Sequence, residues 1–231
     1  MKTLGLIGGT GWISTVEYYR QINEETNRRL GGLEAARLVL VSLNYGDVDR
    51  LNRREDHAGV LALVLNAARV LKAGGAEGLV LCANTLHRYV EDLAGRVGVP
   101  IVHIAEAAAA EIRRRGLSRV GLLGTLPTME LDFYTGSLKR AGIEALVPER
   151  EERLFIHQAI YGELLKGVFR AETRARVLDV IGGLRRRGAR GVVLGCTEIP
   201  LLIRQGDTDL PLFDTLAIHA RAAVDFALEG S

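Results

Sequence analysis

Short apolar runs alternate with longer segments of helical periodicity along almost the whole chain. The runs are rich in Val, Leu and Ile, and the longer segments repeat apolar residues every three or four positions; these are the patterns of buried strands and amphipathic helices. We predict strands over residues 3–8, 37–43, 78–83, 100–104, 120–124, 143–147 and 191–194. We predict helices over residues 14–30, 56–73, 88–97, 151–166, 172–187 and 215–228, with another ending at 115 and one following 128.

Strands that alternate with helices in this way predict an α/β fold, in which parallel sheets are covered by helices on both faces. Two local features add detail. Ser14 and Glu17 have the spacing of a capping box, which predicts that the first helix begins at Ser14. Residues 44–50, after the second predicted strand, are mostly polar and are predicted to form a loop.

The second half of the chain repeats segments of the first. Residues 75–85 align without gaps with residues 188–198, at an offset of 113 residues (188 − 75). Residues 5–10 align with residues 121–126 at a similar offset of 116 (121 − 5). Two matched pairs in the same order indicate two related halves of roughly a hundred residues each.

The length and composition agree with two small domains. The chain has 231 residues, of which 48% are hydrophobic and 25% charged, and this is enough to bury a full core. We predict a first domain of residues 1–103 completed by residues 212–231, and a second domain of residues 104–211. The two would be similar parallel-sheet α/β domains related by a pseudo-twofold duplication.

In parallel sheets, ligands bind beyond the carboxyl ends of the strands, and four predicted loops lie at such ends. These loops are Gly8–Thr10, Ala83–Thr85, Gly124–Thr128 and Gly195–Glu198. The first has neither the dinucleotide-binding glycine spacing nor the Lys-Ser/Thr pair of a phosphate loop. We therefore expect it to approach a small anionic group and not a nucleotide.

Cys196 stands at the most distinctive of these strand ends. It follows a short apolar strand and precedes a short predicted helix with Pro200 in its first turn. The unpaired N–H groups and the dipole of a helix start favour a thiolate, which is the condition for a reactive cysteine. The alternative is that Cys196 is a small buried residue that only packs.

The charge and the aromatic content argue against several classes of partner. The formal net charge is +2, and only 5% of residues are aromatic, so neither a basic nucleic-acid footprint nor a platform for stacking bases is indicated. The arginine runs 113–115 and 185–187 are typical of solvated helix faces. With two cysteines, no signal peptide and no apolar run that could span a bilayer, we expect a cytoplasmic protein without membrane partners.

The motifs resemble those of the cofactor-independent aspartate/glutamate racemase superfamily, most closely its aspartate and broad-specificity amino-acid racemase branch. The resemblance rests on Gly5-Leu6-Ile7-Gly8-Gly9, Asn84-Thr85-Leu86-His87, Gly121-Leu122-Leu123-Gly124-Thr125 and Gly195-Cys196-Thr197-Glu198. It implies two α/β domains with the active site in the cleft between them, an amino acid as substrate, neither pyridoxal phosphate nor a metal, and a homodimer. In that family two cysteines flank the substrate α-carbon, and one removes the proton that the other returns.

The sequence departs from the family pattern at the first of these cysteines. The position immediately before Asn84 is Ala83, and the internal repeat also aligns Ala83 with Cys196. Cys82 aligns with Gly195, and its side chain would point to the opposite face of the strand, as expected for a packing residue. We therefore expect one catalytic thiol, Cys196, with Ala83 at the place of the other.

Hydroxyl and amide side chains at the strand ends form the predicted binding set. Preorganised donors stabilise the carbanion or enolate that forms when an α-proton is removed, although Asn and Thr also cap helices for local reasons. By resemblance, Arg50 aligns with an arginine that holds the side-chain carboxylate of an acidic substrate, so we expect aspartate or glutamate. The predicted substrate-binding residues are Thr10, Arg50, Asn84, Thr85, Thr125, Thr128 and Thr197.

Two alternatives remain open at this point: another enzyme of the same superfamily, or an inactive protein. A decarboxylase of malonate-type acids needs only one cysteine, because it protonates its product from one face. A one-cysteine isomerase of maleate or hydantoin type is less favoured, because the motifs resemble amino-acid racemases more closely. A catalytically inactive protein that binds small dicarboxylates would explain Ala83 as lost chemistry.

Overall fold

The computed structural model describes residues 1–230 and divides into two compact units. The first unit comprises residues 1–103 together with the chain from His219 onward, and the second comprises Ile104–Ile218. The chain therefore leaves the first unit after His103 and returns to it at His219.

The first unit is built on a four-stranded parallel sheet with strand order β2-β1-β3-β4. A 3₁₀ helix, Asn84–Tyr89, follows its third strand. The other elements of this unit are β1 (Leu4–Gly8), α1 (Trp12–Leu30), β2 (Leu38–Ser42), α2 (Tyr45–Asn52), α3 (His57–Ala73), β3 (Gly78–Leu81), α4 (Val90–Val97) and β4 (Ile101–Val102).

The second unit has a four-stranded parallel sheet of the same topology, with strand order β6-β5-β7-β8. Its last helix, α11, continues into the first unit. The elements are α5 (Ile104–Arg114), β5 (Arg119–Gly124), α6 (Leu126–Glu130), α7 (Asp132–Arg140), β6 (Glu144–Leu146), α8 (Arg150–Gly162), a 3₁₀ turn (Leu164–Lys166), α9 (Ala171–Arg186), β7 (Val192–Gly195), α10 (Ile199–Leu202), β8 (Leu212–Asp214) and α11 (Thr215–Leu228).

The predicted α/β fold with two similar parallel sheets is confirmed, and the strand register reproduces the internal repeat. Leu81 of β3 lies opposite Ile7 of the central strand β1. Leu194 of β7 lies opposite Leu123 of the central strand β5. The sequence alignment matches Leu81 with Leu194 and Ile7 with Leu123. The two sheets are therefore in equivalent register.

Alternation along the strands places apolar side chains on both faces of each sheet, because successive strand residues point to opposite sides. In the second unit, Val192 and Leu194 pack with Ile181 of α9 on one face. Val193 packs with Phe213 on the other face. Both faces are therefore covered by apolar layers, as the continuous apolar strands predict.

Several element boundaries differ from the prediction for local reasons. Helix α1 begins at Trp12, and the predicted capping box is wrong: the Ser14 hydroxyl donates to the Gly11 carbonyl from inside the helix. The predicted loop 44–50 is mostly helix α2, which begins at Tyr45 because the Asn44 side chain accepts from the Gly46 N–H and caps it.

Two further elements differ from the prediction. The predicted helix 151–166 ends at Gly162 and continues as a separate 3₁₀ turn. The three-residue strand β8 was not predicted, because so short an apolar run after Pro211 has no periodicity. Among residues 1–230, no helix is both long and apolar enough to cross a membrane.

Candidate active site

In the first unit, the loop after β1 is shaped by a close approach of two backbone segments. Gly9 has φ +86°, and a Cβ there would lie 2.0 Å from the Leu43 carbonyl oxygen, so only glycine fits. The Gly9 N–H donates to Thr15 Oγ1 at 2.9 Å. Thr10 is buried, and within the described residues its hydroxyl has no hydrogen-bond partner. A buried hydroxyl of this kind is available to a ligand.

Ala83, Asn84 and Thr85 follow β3, the strand next to β1 in the same sheet. Ala83 has extended backbone, and the 3₁₀ helix begins directly after it. Asn84 is buried and Thr85 is half-buried. Because β1 and β3 are neighbouring parallel strands, this segment and the Thr10 loop end at the same edge of the first sheet.

In the second unit, the loop after β5 carries two buried threonines. Thr125 and Thr128 are 6% and 0% exposed, and their Oγ1 atoms are 3.2 Å apart. The N–H of Leu126, between them, donates to Nδ1 of His157 on α8 at 3.3 Å. Burial lowers the pKa of His157, which favours the neutral ring that this hydrogen bond requires. His157 was not among the predicted site residues, because it is far from this loop along the chain.

Cys196 follows β7, the neighbour of β5, and shares a hydrogen-bond acceptor with Thr197. The Cys196 thiol donates to Glu198 Oε2 at 3.0 Å, and the Thr197 hydroxyl donates to the same oxygen at 3.0 Å. All three residues are buried, and Glu198 is only 3% exposed. Glu198 belongs to the sequence motif that signalled the site, but its contact with the thiol depends on the turn geometry and was not predicted.

The prediction that this position favours a thiolate is wrong. Burial raises the pKa of the Cys196 thiol well above its usual range, and the Glu198 carboxylate raises it further. The backbone N–H groups of Glu198 and Ile199 do act in the predicted direction, but they are outweighed. Cys196 therefore rests as a thiol whose proton is directed at a carboxylate.

The strand register places Ala83 at the position equivalent to Cys196. Each is two residues beyond the leucine, Leu81 or Leu194, that pairs with the central strand. Cys82 is then equivalent to Gly195. Cys82 is 1% exposed, and burial raises the pKa of its thiol. A thiol so deeply buried and unionised has the environment of a packing residue.

Arg50 lies on helix α2, beyond β2 at the edge of the first sheet. Its side chain is exposed and forms an ion pair with Asp47 three residues earlier on the same helix. To bind a substrate carboxylate, Arg50 would have to exchange this partner. Its predicted binding role stays a prediction.

Comparison with known proteins identifies the family. The family model for Asp/Glu/Hydantoin racemases matches residues 7–223. The broad specificity amino-acid racemase RacX of Bacillus subtilis is 22% identical over 227 residues, which cover 96% of each chain. A Yersinia pestis protein provisionally assigned as an Asp/Glu racemase has a crystal structure that superposes with a TM-score of 0.92 at 43% identity, covering 99% of this chain and 100% of that one.

A second solved structure, of an aspartate racemase homologue from Pyrococcus horikoshii, gives a TM-score of 0.85 at 36% identity and covers 98% of this chain and 99% of its own. The chain therefore belongs to the Asp/Glu/Hydantoin racemase family, and the resemblance found in its motifs is confirmed. Its enzyme class is that of the racemases, which are isomerases.

The contact between Cys196 and Glu198 predicts how the thiol titrates. Replacing the carboxylate in Glu198→Gln removes the negative charge that opposes ionisation, so the pKa of the Cys196 thiol should fall. The measurement is ultraviolet thiolate absorbance against pH in a Cys82→Ala background, which leaves Cys196 as the one thiol.

Thr197→Val is the matched control, because it removes the other hydrogen-bond donor to Glu198 and keeps the charge. The pKa of the Cys196 thiol should therefore be higher in the Thr197→Val variant than in the Glu198→Gln variant. An unchanged or higher thiol pKa in Glu198→Gln would show that the carboxylate does not control the proton on Cys196.

Proposed function

We propose that the protein is a cofactor-independent racemase of aspartate or glutamate, in which Cys196 is the acid/base thiol and Ala83 stands at the place of the family's first cysteine. The observation that carries the proposal is the buried thiol–carboxylate pair of Cys196 and Glu198 at a central strand end, in a chain of the racemase family. The names of its relatives, which include amino-acid racemases and an aspartate racemase homologue, support the substrate class.

The proposed proton transfer begins with Glu198. Its carboxylate accepts the proton of the Cys196 thiol, and the thiolate that results removes the α-proton of the substrate. The electron pair of the broken C–H bond delocalises into the substrate carboxylate as an enolate. A thiol with a raised pKa gives a strong base once it is ionised, and this suits the very weakly acidic α-proton. Water or a weaker side chain on the opposite face then donates a proton to the α-carbon. Glu198 releases the proton it accepted to solvent, which restores the Cys196 thiol and the Glu198 carboxylate.

Hydroxyl and amide groups supply the donors that the enolate requires. Within the second unit, Thr197 lies beside the thiol, and its one hydroxyl proton is donated to Glu198. That proton can turn to the substrate once Glu198 has accepted the proton of Cys196. In the first unit, Asn84 is buried and the hydroxyl of Thr10 is buried without a partner. Donors fixed before the reaction stabilise developing charge without reorganisation. We propose that Thr10, Asn84, Thr85, Thr125, Thr128 and Thr197 bind the substrate, with Arg50 at its side-chain carboxylate.

One observation favours a second candidate, a decarboxylase of malonate-type acids. Ala83 has no group that can transfer a proton, and loss of carbon dioxide followed by protonation from one face needs a single thiol. The two reactions differ in their products, because only the decarboxylase releases carbon dioxide. A catalytically inactive dicarboxylate-binding protein would carry out neither reaction, and the buried thiol–carboxylate pair argues against it.

We also propose that the protein is a homodimer, as the resemblance to the family implies. Helix α1 presents an apolar stripe of Trp12, Val16 and Tyr19, spaced by one helical turn and 67%, 57% and 57% exposed. Exposed aromatic stripes of this kind are typical of protein interfaces. Sedimentation equilibrium should give twice the chain mass, and Val16→Lys should shift it toward one chain mass. A wild-type protein of one chain mass would refute the dimer.

If Cys196 is the acid/base, Cys196→Ser should lower the rate of α-proton exchange by about 10³-fold or more, because a serine hydroxyl is a far weaker acid and base. Ligand affinity should stay within about tenfold, since the donors around the substrate remain. The measurement is deuterium incorporation at the α-carbon, with ligand affinity from calorimetry. Cys82→Ala is the control and should cost about 1 kcal/mol of stability with little change in rate. Full exchange in Cys196→Ser would refute the assignment.

With a single thiol, we expect the two enantiomers to exchange their α-protons at different initial rates. One face of the α-carbon is served by Cys196 and the other by water or a weaker side chain, so initial exchange should be fast from one enantiomer and slow from its mirror image. Ala83→Cys places a second thiol at the equivalent position. It should accelerate exchange from the slow enantiomer by about 10²–10⁴-fold, the usual contribution of general acid–base catalysis.

Ala83→Ser is the matched control, because it adds a side chain of similar size with a much weaker base. It should leave the slow enantiomer nearly as slow as in the wild type. Equal initial rates from both enantiomers in the wild type would mean that a second base exists at a residue other than 83.

A further inference from the structure

Three histidines and a tyrosine form a cluster in the first unit, and the proposed proton transfer uses none of them. We call Tyr18, His87, His103 and His219 the histidine cluster. The ring of His87 lies 5.0 Å from that of His103 and 5.3 Å from that of His219, measured between centroids. His87 and His219 are 3% and 0% exposed.

Hydrogen bonds fix the protonation of His219. Its Nε2 lies 2.8 Å from the Val102 carbonyl oxygen, which can only accept, so Nε2 carries the proton. Its Nδ1 lies 2.8 Å from the Tyr18 hydroxyl, which must then donate to it. Burial lowers the pKa of His219 to about 4, despite the Val102 hydrogen bond. His219 is therefore a neutral ring with both nitrogens satisfied.

His87 has a different and incomplete set of partners. Its Nδ1 lies 3.1 Å from the carbonyl oxygen of Ala83, so Nδ1 carries a proton and donates it. In the part of the chain that the structure describes, its buried Nε2 has no hydrogen-bond partner. The nearby Val102 carbonyl already accepts from His219 and forms no hydrogen bond with this nitrogen. Burial, and then His219 and His103, hold the pKa of His87 well below its usual range.

A neutral His87 ring has one N–H group, and that group donates its hydrogen bond to the Ala83 carbonyl oxygen. Packing alone would be served better by an apolar side chain, because a buried nitrogen without a hydrogen-bond partner destabilises the folded state. The hydrogen bond that Nδ1 donates to Ala83 therefore explains why a histidine occupies this position. The carbonyl it holds belongs to the peptide between Ala83 and Asn84, at the strand end where we place substrate binding.

We propose that His87 is a positioning residue for the reaction. Its Nδ1–H holds the Ala83 carbonyl and so fixes the orientation of Asn84 and Thr85. The proposal rests on the proposed racemase function, because the strand end it orders is the predicted binding segment. His87 does not touch the reacting atoms, and its effect on rate passes through the backbone of residues 83–85.

Two amide substitutions test which nitrogen matters. The Asn side-chain N–H₂ occupies the place of histidine Nδ1, whereas the Gln side-chain N–H₂ occupies the place of Nε2. His87→Asn should keep the hydrogen bond to Ala83 and retain kcat within about threefold. His87→Gln should lose it and lower kcat by about 10²-fold, the cost of misplacing a binding group by about 1 Å. Thermal unfolding of both variants shows whether each is folded.

The expected result is a kcat difference between two folded variants, with rescue in His87→Asn. Equal kcat in the two folded variants, whether high or low, would overturn the proposal, because the Nδ1 donor would then not matter. The wild-type protein provides a second test that depends on no variant. ¹⁵N NMR should show a proton on Nδ1 of His87 and none on Nε2, and the opposite tautomer or a charged ring would overturn the proposal.

The same experiments separate this proposal from the proposed function. If wild-type protein exchanges the α-proton of neither aspartate nor glutamate, the proposed function fails whatever the tautomer of His87. If exchange occurs and the two variants do not differ, the racemase function stands and the positioning role fails.

Discussion

The contact between the Cys196 thiol and the Glu198 carboxylate is the interaction on which the proposed chemistry depends. A buried cysteine by itself is held in the thiol form, and nothing around it could take the proton at a reasonable cost. A carboxylate 3.0 Å from the sulfur supplies that acceptor. The Thr197 hydroxyl, which donates to the same oxygen, keeps the carboxylate oriented toward the thiol.

The duplicated sheet gives this site its asymmetry. The equivalent strands β3 and β7 end in equivalent positions, yet one carries Ala83 and the other Cys196. The thiol of the first unit is Cys82, one residue earlier, on the buried side of the strand. Two halves built on one topology therefore carry different residues at equivalent positions.

Features that depend on local sequence could be predicted, and features that depend on three-dimensional neighbours could not. The equivalence of Ala83 and Cys196 followed from an alignment of short strands, whose register is set by their apolar pattern. The ionisation of Cys196 was predicted with the wrong sign, because the sequence shows nearby N–H groups but not the burial that outweighs them. The hydrogen bond between His219 and Val102 joins residues 117 positions apart, a separation that only the sheet topology closes.

Proton NMR of wild-type protein with aspartate and with glutamate in deuterated water tests the proposed thiol chemistry most directly. The α-proton signal of at least one of these amino acids should disappear with time while the amino acid remains intact, since a thiol base exchanges the proton without breaking a carbon–carbon bond. A persistent α-proton signal for both amino acids would contradict it.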